Sequence, residues 1–266
     1  MTICLIAIAI FLSLAMTFAW AVAMRTGKSG LIDATWSFAA GIAAIVAALW
    51  PLDDGDYAPR RWLIAAFALV WSARLGLYIF GRSHGADDDP RYAKLKAEWG
   101  ADAPRRLFVF LQVQAVAGWP LAGAALLAAH APFPGFRLQD GLALIVFVVA
   151  FIGETVADRQ MARFRADPRN KGGICEQGLW AWSRHPNYFF EWLGWVAYVF
   201  AAVDVSGGYL QGWLSLLAPF VMYVLLVYVS GAPPLEEHLA RSRPAAFADY
   251  ARRVSLFWPL PPARRA

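Results

Sequence analysis

The residues best equipped for chemistry stand together in Gly178–Trp192, G-L-W-A-W-S-R-H-P-N-Y-F-F-E-W. Pro186 disfavours the helical conformation at His185 and suits the first turn of a helix, so a helix is expected to begin there. Asn187 and Glu191, spaced i,i+4, then share one face, with Arg184 and His185 just outside the helix and Tyr188 in its first turn. An amide, a carboxylate, a guanidinium and an imidazole thus gather at a helix N-terminus, whose free N–H groups already favour anions. Upstream, Glu154, Asp158 and Arg165 fall at i, i+4 and i+11, again one helical stripe. The mixture of acids, amide and cations reads as a binding site for a polar ligand.

Covalent and metal chemistry find little support. No Ser-His-Asp grouping or Cys-His pair has suitable placement, and the four histidines are scattered. Cys4 and Cys175 show neither metal nor redox spacing. The run Gly85 to Pro90, with His84, Asp87, Asp88 and Asp89 in or beside it, reads as a solvated turn before a short amphipathic helix, Arg91–Trp99, and no metal site is expected.

The elements that must hold these residues are membrane helices. Of the 266 residues 59% are hydrophobic and 16% charged, with 13 Trp and 18 Phe; soluble domains carry about 45–50% and about 25%. Seven apolar runs have the length needed to cross a bilayer, approximately 2–23, 31–50, 62–81, 107–129, 141–157, 188–204 and 209–230. The first lacks a basic start and a clear cleavage site, so it reads as a helix rather than a signal peptide. With seven spans, 20 of the 24 Lys and Arg residues fall on one side and three on the other, Arg74 lying within the third span. That sorting predicts an all-α integral membrane protein with its N-terminus outside and its C-terminus cytoplasmic. The net charge of +5 is distributed in loop clusters, which argues against nucleic acid as a partner. Ionisable residues within spans point to function by default: Asp33, Arg74, Glu154 and Glu191.

The G-L-W-x-x-S-R-H-P-N-Y-x-x-E-W stretch, the preceding acid-to-arginine helix and the closing F-x-x-Y-x-x-R-V-x-x-F-x-P (Phe247 to Pro259) resemble the steroid 5α-reductase family, in particular its bacterial branch. The resemblance covers residues 150 to 260. It implies a seven-helix reductase of the 3-oxo-5α-steroid 4-dehydrogenase type, in which NADPH reduces the carbon-carbon double bond of a lipophilic enone. Residues 1–130 would enclose the substrate and residues 141–266 would hold the dinucleotide. The resemblance places the cofactor on Asp158, Arg165, Asn187, Glu191 and Arg253, joined by Arg184, His185, Tyr188, Glu237 and Tyr250. No G-x-G-x-x-G occurs in a strand-turn-helix unit, so a Rossmann site is excluded. The phosphates would then need arginine forks, for which Arg82, Arg165, Arg184, Arg252 and Arg253 are on hand.

Hydride addition to an enone builds negative charge on the carbonyl oxygen and requires a donor there. Asp33 would serve either in its protonated form or by orienting Arg74 or Tyr78. Two other classes fit part of the pattern. An isoprenylcysteine-type membrane methyltransferase, using S-adenosylmethionine, shares the R-H-P-x-Y segment and the late Glu236-Glu237, Tyr250 and Arg253. A small transporter would use Asp33 and Arg74 as midplane charges, although no internal repeat is visible. The expected location is a bacterial inner membrane with the cofactor site facing the cytoplasm, the partners being lipids and a steroid-like enone.

Overall fold

The computed structural model describes residues 1–52, 57–83 and 88–263, and among these there is no strand. Ten α-helices follow in order: α1 (Thr2–Thr26), α2 (Ile32–Leu49), α3 (Ala58–Ser83), α4 (Pro90–Trp99), α5 (Ala103–Ala129), α6 (Leu138–Ala166), α7 (Pro186–Ala202), α8 (Leu217–Val224), α9 (Ala232–Ser242) and α10 (Pro244–Arg253). Among the described residues, six helical stretches are long and apolar enough to cross a membrane: α1, α2, Ala58–Gly81 of α3, Arg91–Ala129, α6 and Leu210–Ser242. Helix α7 has 17 residues, at the short end of what a bilayer needs.

The chain divides into two compact units, Met1–Gly141 with Tyr198–Ala218, and Leu142–Ala197 with Pro219–Ala266. In the first, small residues let helices approach closely. Ala39, Ala40, Ala43, Ala44, Ala47 and Ala48 of α2 are all buried. A Cβ on Gly41 would come within 2.1 Å of Ser72 on α3. A buried ion pair closes one end: Arg60 grips both oxygens of Asp140 at 3.0 and 2.9 Å and donates to the carbonyls of Ala131, Phe133 and Gly135. All five guanidinium donors are used, which is the condition under which a buried charge is tolerated.

In the second unit α6 runs unbroken, so Glu154, Asp158 and Arg165 do lie on one helix. It packs closely on α7 at Gly153, where a Cβ would meet the Phe190 ring at 2.4 Å. Helix α7 begins at Pro186, as its sequence predicts. The last apolar run is broken where one helix was expected: a 3₁₀ segment Leu210–Leu216 precedes α8, and a π turn Leu225–Val229 follows it. Close approaches of Gly212 to the Ala202 carbonyl and of Gly231 to the Leu226 backbone accompany these breaks.

Candidate functional site

In the second unit the R-H-P-N loop is fixed from below by Gly178, whose φ of +57° lets the chain turn over Gln160. The Gln160 side chain accepts from the Leu179 N–H at 2.9 Å, and the Trp180 indole donates to the Ala157 carbonyl on α6. From above, Tyr250 of α10 donates its hydroxyl to the Trp180 carbonyl at 2.6 Å. Buried Ser183 donates to the Phe257 carbonyl at 2.9 Å and accepts from the His185 N–H. Burial pushes the Tyr250 hydroxyl well above the ordinary tyrosine range, so it remains a donor.

Arg184 commits four of its five N–H donors inside the protein. It forks onto Glu236 of α9 at 2.6 and 3.1 Å and donates to the Ala251 and Val254 carbonyls. His185, buried, also meets Glu236 Oε1 at 3.1 Å and stacks its ring on Tyr188 with centroids 5.3 Å apart. Arg253 donates to Glu176 and Asp249, both at 2.8 Å. Those hydrogen bonds, the one from Glu176 largest, hold the Arg253 guanidinium above its usual range, while Arg253 and then Arg252 draw Asp249 below the usual carboxylate range. Arg184 and Arg253, two of the arginines expected to meet phosphate, are thus held by carboxylates of the same unit.

Two predicted residues are poised differently. Asn187, in the first turn of α7, keeps its Oδ1 buried with no hydrogen-bond partner among the described residues. A buried acceptor without a donor carries a desolvation penalty of about 1–3 kcal/mol, which a ligand N–H or O–H would relieve. Arg165 is exposed at the end of α6 and makes no hydrogen bond or ion pair among the described residues. Glu154 and Glu191 are buried and Asp158 is half-buried. Glu237 faces outward, 3.6 Å from Arg241; its neighbour Glu236, four residues after buried Ala232, takes the inward place. Cys175 is buried beside this loop, and burial pushes its thiol above the ordinary range, away from a reactive thiolate. The Arg82 side chain, His84 and Asp87 lie outside the described residues.

The first unit carries a separate polar cluster. Asp89 caps α4 by accepting from the Arg91 N–H, and Arg91 reaches from there to Asp33 Oδ2. The Tyr92 hydroxyl, buried, donates to Asp33 Oδ1 at 2.7 Å and accepts from Gln114 Nε2 of α5 at 3.2 Å. Lys96 pairs with Asp88 and donates to the Gly27 carbonyl. Asp33 therefore orients Tyr92 and Arg91, two residues the sequence did not single out. The amphipathic helix α4 reaches it first. Tyr78 is 46% exposed, and Arg74 is half-buried on the same helix.

A family profile described as a protein of unknown function, DUF1295, matches residues 19–254. The chain belongs to the DUF1295 family. That match takes in both units and every predicted site residue. An uncharacterized protein of Schizosaccharomyces pombe is 25% identical over 269 residues, covering 90% of this chain and 75% of the relative. No solved structure matches the chain.

Proposed function

We propose that this DUF1295 protein is an NADPH-dependent membrane reductase that transfers a hydride to the carbon-carbon double bond of a lipophilic enone, with a 3-oxo-4-ene steroid as the type substrate. The family includes steroid 5α-reductase-like proteins. The observation that carries the reading is Asn187, whose buried Oδ1 lacks a donor at the start of α7. The donor set fits a dinucleotide: Asn187 takes an amide or hydroxyl, Arg165 a phosphate, and Asp158 and Glu191 ribose hydroxyls. Arg184, His185, Tyr188, Tyr250 and Arg253 hold the loop, and Glu237 lies at its outer edge. NADPH, when bound, supplies the hydride.

In this reading the first unit receives the enone. Hydride arriving at the β-carbon moves the electron pair to the carbonyl oxygen, and a proton then closes the α-carbon. On enone binding the Tyr92 hydroxyl would turn its one hydrogen from Asp33 Oδ1 to that oxygen, Asp33 keeping its pair with Arg91 and Gln114 Nε2 still donating to the Tyr92 oxygen, with Arg74 as a second cation on α3. The membrane arrangement that goes with it counts α7 as a seventh span, with the N-terminus outside and the cofactor residues in the cytoplasm of a bacterial inner membrane. A second reading, S-adenosylmethionine-dependent methyl transfer, draws support from the link of the R-H-P segment to the Glu-Glu pair through Glu236.

Turnover separates the two. Protein in proteoliposomes should oxidise NADPH in the presence of a 3-oxo-4-ene steroid, and Tyr92→Phe should lower kcat by about 10²–10³, the cost of one lost oxyanion donor. Asp33→Leu should fall similarly. Wild-type rates in both variants would remove the first unit's polar cluster from the mechanism.

A further inference from the structure

The C-terminal stretch after α10, S-L-F-W-P-L-P-P-A over residues 255–263, is irregular rather than helical and bends over residues 256–258. Its inner side is an aromatic cluster: Phe257 and Trp258 meet Phe189 and Trp192 of α7 and Tyr223 of α8, with ring centroids 5.1 to 6.1 Å apart. Its outer side is apolar and, among the described residues, uncovered. Trp258 is 43% exposed and Leu260 54%, and Trp182, whose carbonyl accepts from the Leu260 N–H, is 46% exposed. Tyr228 and Phe220 of the Leu210–Ser242 stretch are also exposed, with Tyr228 packed edge-on against Tyr223. Exposed Arg252 lies just before it in the chain.

Non-helical backbone is normally excluded from a bilayer because its N–H groups have no partner. From Pro259 to Ala263 that objection is met. Pro259, Pro261 and Pro262 have no N–H, and the Leu260 and Ala263 N–H groups are bonded to the Trp182 and Arg253 carbonyls. The carbonyls of Ser255 and Phe257 are taken by the Arg184 N–H and the Ser183 hydroxyl. Indole rings, an apolar side chain and a nearby arginine are the composition of a membrane-water boundary.

We propose that residues 255–262 form an interfacial anchor, seated at the headgroup-acyl boundary of the lipid bilayer with Trp182, Trp258 and Leu260 inserted. The exposed Tyr228 of the Leu210–Ser242 stretch is linked to it through Tyr223, which packs against Trp258. Because the same residues brace Ser183 and Arg184, the bilayer becomes part of what holds the R-H-P-N loop in place. The assignment is independent of the reaction catalysed.

Leu260→Cys, made in a Cys4→Ala, Cys175→Ala background and labelled with an environment-sensitive fluorophore, tests it in vesicles of phosphatidylcholine and phosphatidylglycerol. Arg169→Cys, on a residue 88% exposed by side chain, serves as the aqueous reference. Lipid carrying a nitroxide at a shallow acyl position should quench the Leu260 probe at least about twofold more than the reference, as expected for a side chain buried a few ångströms into the boundary. Equal quenching would place the segment in water. A blue-shifted but unquenched probe would mean that protein, such as a second copy of the chain, covers the patch. Either result overturns the anchor.

Discussion

Glu236 shows how a single residue decides the shape of the site. It neutralises Arg184, contacts His185 and thereby ties α9 to the R-H-P-N loop. Removing Arg184 would strand a partly buried carboxylate and two carbonyls. Arg184→Ala should therefore cost about 3 kcal/mol, at the low end for a buried pair because both side chains retain some exposure. Arg241→Ala, which touches only the outward Glu237, should change stability by less than about 0.5 kcal/mol. Thermal unfolding in detergent, read for both variants, checks the contrast; equal losses would contradict it. Which of the two adjacent glutamates turns inward was not legible, since that depends on the phase of α9 against a loop some 50 positions earlier. The role of Asp33 was hidden for the same reason: its partners Arg91 and Tyr92 are 58 and 59 residues away. The positions of Asn187 and Arg165 on α7 and α6 were legible because the start of one helix and the stripe of the other are written locally.

At the scale of elements, local signals were read well where a cap or a proline sets the boundary. Asp89 and Pro90 open α4, and Pro186 opens α7. The broken course of the last apolar stretch was missed, because composition alone cannot distinguish an unbroken helix from one interrupted where glycines pack against backbone. Gly178 tests how far one turn governs the loop. Alanine there must adopt a left-handed conformation, costing about 1–2 kcal/mol, and its Cβ would also press on Gln160 at 2.3 Å. Gly27→Ala bears the backbone cost alone, since nothing lies within 4 Å of its Cβ position. Gly178→Ala should thus lower the melting temperature more than Gly27→Ala. Equal effects would mean that the Gln160 bond to Leu179 contributes little.

For the whole molecule, six stretches among the described residues are long and apolar enough to span, and the proposed arrangement adds the 17-residue α7 as a seventh. Accessibility of tags at the two ends in intact cells should find the N-terminal tag outside and the C-terminal tag inside; both on one side would exclude an odd number of spans. The central claim is that this protein binds a nicotinamide dinucleotide, and equilibrium binding to the purified protein in lipid nanodiscs tests it most directly. NADPH should bind, with S-adenosylmethionine failing to compete, and Asn187→Leu and Arg165→Ala should each weaken NADPH by roughly tenfold to a hundredfold, the equivalent of about 1–3 kcal/mol. Binding of S-adenosylmethionine in place of NADPH, or NADPH affinity unchanged in both variants, would contradict it.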